Sequence, residues 1–159
     1  MNTPKRTLSE MQQRVINADT LKHDIVNAKE MLRLEMLSSF KAYTKAMFKA
    51  QYKRNFIVAE HHEKIIKALQ DVVDGKCRRL IINIAPRYGK TELVIKSFIS
   101  WCFALNPKCR FLHLSYSDVL VADNSDTVRS IMQESLYKEL FPQSKLEKEK
   151  ASNKRWRTA

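Results

Sequence analysis

The chain of 159 residues has room for one ordinary domain, and 44% hydrophobic with 29% charged residues excludes general disorder. Lysine plus arginine is 29 against 17 for aspartate plus glutamate, a net charge of +12. Residues 1–80 carry +7 (16 basic, 9 acidic) and 81–159 carry +5 (13 basic, 8 acidic), which excludes a neutral body with a basic tail.

Residues 1–6 read as loose. Thr7 or Ser9 can cap a helix, with Glu10 or Gln12 closing the box. Leu8, Met11, Val15, Ala18, Leu21, Ile25, Ala28 and Leu32 follow in steps of three and four, one helical stripe. A second helical stretch carries Phe40, Tyr43, Met47 and Ala50 on one face and Lys41, Lys45, Lys49, Lys53 and Arg54 elsewhere. That basic surface is either a partner face or a solvated helix exterior. Asn55 to Ala59 reads as extended. Glu60 to Val73 reads as a helix with Ile65, Ile66, Leu69, Val72 and Val73 apolar, closed by a left-handed cap at Gly75.

Arg79 to Ile84 is short, branched and apolar, as a buried strand is. Glu92 to Leu105 is helical, with Val94, Phe98, Trp101, Cys102 and Leu105 on one side and Asn106-Pro107 as its stop. Arg110 to Ser115 is a second strand. Asp118 to Phe141 is a helix closed by Pro142, and residues 143–159 are polar. From 79 to 141 the order is strand, helix, strand, helix, the opening of a parallel open sheet. The expected fold class is α/β, an incomplete P-loop NTPase-type parallel sheet with a helical N-terminal extension. The divisions are 1–55 as a basic helical extension, 56–142 as a partial P-loop ATPase domain, and 143–159 as a polar segment.

Cys77, Cys102 and Cys109 form no CxxC pair and leave an odd count, which favours a reducing cytoplasm over a disulfide framework or zinc ribbon. The longest apolar run, Leu93 to Leu105, is about 13 residues against the roughly 20 that span a bilayer. The first residues lack the apolar core of a secretory signal. The positive charge favours a polyanionic partner, nucleic acid first, with a merely basic protein as the competing reading.

Only Gly75 and Gly89 are glycines, where average usage near 7% predicts about eleven. Gly89 lies in Ala85-Pro86-Arg87-Tyr88-Gly89-Lys90-Thr91-Glu92, between the first strand and a helix. Its Gly-Lys-Thr is the tail of a phosphate-binding loop. Gly89 lets a phosphate approach the backbone, and the amides of about residues 87–91 can cradle its oxygens. The helix start near Lys90 adds unpaired N–H groups and the positive dipole end. Lys90 would reach the β- and γ-phosphates, and Thr91 would offer its hydroxyl to Mg²⁺. The motif's first glycine is replaced by Ile84, so Ala85-Pro86 must shape the turn. A chance Gly-Lys-Thr in an ordinary loop is the competing reading.

The stretch resembles the phosphate loop of the large subunit of tailed-phage terminases, the ATP-driven motors that package DNA, in which Pro-Pro-Arg-His-Gly-Lys-Ser-Glu is frequent. Phe56 to Ile66 is similar to that family's lead-in, which lies near the adenine. Phe111 to Ser117 with Val128-Arg129 is similar to its next strand and helix, and Lys154 to Thr158 to its Trp-x-Thr. The resemblance covers about residues 56–159. It implies ATP and Mg²⁺ as cofactors, with Pro86, Arg87, Tyr88, Gly89, Lys90, Thr91 and Glu92 at the nucleotide. It further implies double-stranded DNA, a small subunit and a portal as partners, a ring homo-oligomer, and the cytoplasm of a bacterial host.

The sequence carries no Walker B strand, coupling motif or nuclease carboxylates, so the expectation is a piece truncated before Walker B, with weak nucleotide binding, poor hydrolysis and no catalytic residue of its own. Rival readings are a basic helical module for nucleic acid or a partner, with an incidental Gly-Lys-Thr, and a fragment of another P-loop helicase-type ATPase. Arg87 is either a phosphate contact or a solvated loop residue. His61 and His62 suit a nucleotide-side or surface role better than a metal site, and Tyr116 and Trp156 read as anchors.

Overall fold

The computed structural model describes residues 8–146, with side chains from residue 20 onward. The loose start, Thr7 and the Trp156 segment lie outside the described residues, as do the side chains of Leu8, Met11, Val15 and Ala18. Among the described residues six α-helices follow one another: α1 (Leu8–Ser38), α2 (Phe40–Tyr52), α3 (Glu60–Val73), α4 (Phe98–Leu105), α5 (Asp118–Gln133) and α6 (Ser135–Leu140). A π-helical stretch, Glu92–Ser97, runs directly into α4.

Local chemistry sets the helix ends. Ser39 separates α1 from α2 with extended backbone (φ −134°, ψ 111°), and its side chain accepts from the Ala42 N–H at 3.2 Å. Glu60 and Glu63 stand in the first turn of α3, where the helix dipole favours anions. At its other end Gly75 takes φ 75°, the Gly75 N–H reaches the Val72 carbonyl at 3.1 Å, and the Lys76 N–H reaches that of Asp71 at 2.9 Å. This is the paired closure that a left-handed glycine permits. The stretch expected as one helix from Asp118 to Phe141 breaks at Glu134, whose ψ of 143° is extended.

Helix α4 is the centre of the core. Trp101 is fully buried, and its indole N–H donates to the Met36 carbonyl of α1 at 2.8 Å. Phe40 of α2 packs on Trp101 with ring centres 5.1 Å apart. The Tyr43 hydroxyl donates to Ser100 Oγ at 2.8 Å, and the Tyr137 hydroxyl of α6 to the Ser100 carbonyl at 3.1 Å. Burial pushes both phenols above their ordinary range. Leu69 of α3 and Val128 and Ile131 of α5 close the same core. It draws residues from both sides of position 55.

The expected parallel sheet is not formed, which corrects the P-loop NTPase-type α/β assignment: among the described residues there is no strand. Segments 78–85 and 110–115 make no backbone–backbone hydrogen bond with any described residue. Leu80, Ile82 and Ile84 lean on the helical core, while Ile81 between them is 93% exposed. The second segment leaves Leu112 and Leu114 outward. Period-two alternation is thus present without pairing. A parallel ladder needs several strands and cover on both faces, and two short segments supply neither.

Truncation of the central indole tests this arrangement. Trp101→Ala should cost about 3–5 kcal/mol in urea denaturation. Trp101→Phe should cost less, since it retains the ring packing and loses the bond to Met36.

Candidate functional site

Residues 86–91 join the extended segment to the helical run that becomes α4. Arg87 has φ 69° and Gly89 has φ 74°, and among the described residues Lys53 is the only other non-glycine with positive φ. Left-handed residues therefore stand at alternate positions, with Tyr88 between them on the ordinary side. Thr91 is already helical at φ −62°, ψ −38°, and the Gly89 carbonyl accepts from the Leu93 N–H at 3.0 Å. Alternation of left- and right-handed backbone turns successive N–H groups toward one point and forms an anion-binding hollow. The helix start adds its dipole there. The following π-helical turn widens the helix at this point, as such turns do near functional sites.

The expected binding residues fall into two groups. Pro86, Arg87, Lys90 and Thr91 are exposed, and no ion pair among the described residues engages Arg87 or Lys90. Tyr88 is half-exposed and meets His61 edge-on, ring centres 5.4 Å apart. Glu92 is diverted from the loop. Lys96 pairs with its carboxylate at 3.1 Å, and the Tyr52 hydroxyl of α2 lies 3.5 Å away. Burial disfavours the Lys96 ammonium, but Glu92 and Tyr52 more than offset this and raise its pKa.

Thr91 offers one hydroxyl to a cation, and no cluster of three or more histidine, cysteine or acidic residues forms among the described residues. A lone hydroxyl does not make a metal site, so Mg²⁺ could enter only with a nucleotide. Cys102 is unsuited to chemistry, since burial and then the neighbouring Cys109 push its thiol up to about 12.

The loop rests on α3. His62 Nδ1 accepts from the Ala59 N–H at 3.1 Å at the entry to that helix. Its Nε2 lies 2.8 Å from the point a Cβ at position 89 would occupy. A run of ring contacts links α2 to the loop: Tyr52–Phe48 at 4.6 Å, Phe48–Phe56 at 5.0 Å, Phe56–His62 at 5.2 Å, His62–His61 at 3.9 Å, then Tyr88. His61 Nε2 is buried without a hydrogen bond among the described residues. The contact of His62 with Gly89 has no signature in sequence, because the partners are distant in the chain. The Glu92–Lys96 pair was readable as an i,i+4 spacing.

The chain matches no protein-family model, no curated protein and no solved structure.

The two glycines supply a controlled comparison. Both have left-handed φ, but a Cβ at Gly75 meets nothing within 4 Å, whereas one at Gly89 collides with His62. Gly75→Ala should cost about 1 kcal/mol in urea denaturation, the backbone strain alone. Gly89→Ala should cost clearly more.

Proposed function

We propose that residues 86–91 bind the phosphate chain of ATP, and that the chain is a nucleotide-binding portion of a DNA-packaging motor of the terminase large-subunit kind. The observation that carries the reading is the alternation of left-handed Arg87 and Gly89 directly before a helix start. The exposed, uncommitted Lys90 and Arg87 support it, as both are suited to an anion's oxygens. Mg²⁺ would accompany the nucleotide, with Thr91 as its one protein oxygen. Glu92 has a structural part, fixing the first helical turn to α2. The small subunit, the portal, the ring assembly and the bacterial cytoplasm belong to this proposal through the resemblance alone.

Titration with the fluorescent analogue mant-ATP in the presence of Mg²⁺ tests the phosphate loop. Lys90→Ala should weaken binding about tenfold or more, the loss of one charge-assisted contact. Equal affinity in the two proteins would remove the basis of the reading.

The basic face of α2 favours a nucleic-acid partner. Lys45, Lys49, Lys53 and Arg54 are exposed, and none joins an ion pair among the described residues. The Arg54 guanidinium sits 5.6 Å from the Phe48 ring centre and 6.0 Å from that of Tyr52. Lys29, Lys41, Lys64, Lys76 and Lys96, by contrast, are each paired with an acid. Among the described residues, no helix is long and apolar enough to cross a membrane. Duplex DNA affinity should fall steeply with salt, and Lys45→Ala with Lys49→Ala should reduce the log–log salt slope by roughly two. An unchanged slope would show that the phosphates lie elsewhere.

A further inference from the structure

We propose that His62 is the positioning residue of the phosphate loop, its imidazole wedged between the first turn of α3 and Gly89 so that the left-handed turn is held ready for an anion. The inference rests on the ATP reading above and names the side chain that keeps that site in shape.

The ring touches both elements at once. Nδ1 accepts the Ala59 N–H at 3.1 Å, so the neutral ring carries its proton on Nε2. Nε2 faces the loop, 2.8 Å from the position of an absent Cβ at residue 89. Only glycine admits the ring at that distance. Arg87 beside it stays left-handed without a glycine's freedom, a conformation that persists where the surroundings enforce it.

The same geometry makes the wedge sensitive to acid. A proton on Nδ1 would face the Ala59 N–H, donor against donor, and the ring would leave its seat. The titratable group facing it is His61 on its own helix, while Phe56 presents only its ring and the Tyr88 ring meets His61 instead. Burial, then the charge of His61, lowers the His62 pKa below its ordinary 6.5, and main-chain contacts at Tyr88 and Ile57 oppose this without reversing it. The folded pKa lies below the unfolded one, so the seated form is complete above about pH 6.5. It is lost as pH falls through the lower folded value.

The test uses the full chain as wild type, His62→Ala, His62→Gln and Lys90→Ala. A glutamine amide offers an acceptor toward Ala59 and an NH2 toward the loop, and does not titrate. With Mg²⁺ and mant-ATP, His62→Ala should lose about tenfold in affinity with an unchanged far-UV circular dichroism spectrum, and His62→Gln should recover it. Lowering the pH stepwise from about 7.5 until the wild-type ring titrates, below about 6.5, should weaken the wild type more than His62→Gln, a comparison in which the ligand's own titration cancels. Trypsin cleavage after Arg87, followed without nucleotide, should quicken in His62→Ala and not in His62→Gln. If Lys90→Ala loses binding while His62→Ala binds and is cleaved like wild type, the wedge is overturned and the ATP reading stands. If wild type and Lys90→Ala bind alike, the ATP reading falls and the trypsin rates decide the wedge: equal rates overturn it. A glutamine variant as impaired as the alanine one overturns it as well, since paired donor and acceptor would then not be the cause.

Discussion

The polar groups buried around Ser100 constrain the whole structure. Ser100 Oγ receives the Tyr43 hydroxyl and lies 2.8 Å from the Lys96 carbonyl, while the Ser100 carbonyl receives the Tyr137 hydroxyl. Next to it, Trp101 reaches back to the Met36 carbonyl. In a water-excluded core each such group left unpaired costs about 1–3 kcal/mol. Helices α1, α2 and α6 therefore meet α4 in one register. Apolar packing alone, through Phe40, Met47 and Leu93, would leave that register less sharply defined.

This register reaches residues 86–91 through covalent continuity. The helical run containing Trp101 begins at Lys90, so the core that anchors one end also aims the other. Two further ties fix its first turn: Glu92 is bound to Lys96 and faces Tyr52, and Gly89 is pressed by His62. A loop supported from α2 and α3 and continuous with α4 has its backbone amides arranged in advance.

The charge distribution follows a similar division. Exposed pairs such as Lys64 with Glu60 contribute little stability. Their effect is to neutralise the surfaces they occupy, whereas Lys45 and Lys49 on α2, and Lys53 and Arg54 just past its end, join no ion pair among the described residues. The aromatic run from Tyr52 through Phe56 to His62 links that helix to the loop region.

What depends on neighbouring residues is legible in the order of amino acids. That order determined the span of α3, the cap at Gly75, the stop at Asn106-Pro107, and a left-handed glycine ahead of a helix at Gly89. Each is a matter of local sterics or capping, legible within a turn or two. The branched apolar run at 79–84 and the stretch 110–115 read as strands, and the structure forms none of them among the described residues. Whether they pair was decided by tertiary structure: an apolar run suits both a buried strand and a segment laid singly on helices, and Ile81 turns to solvent in the latter. Tertiary structure alone also brought His62 to Gly89 and Tyr52 to Glu92. Those contacts join residues more than 25 positions apart, and nothing in the local pattern of either partner encodes the distance between them.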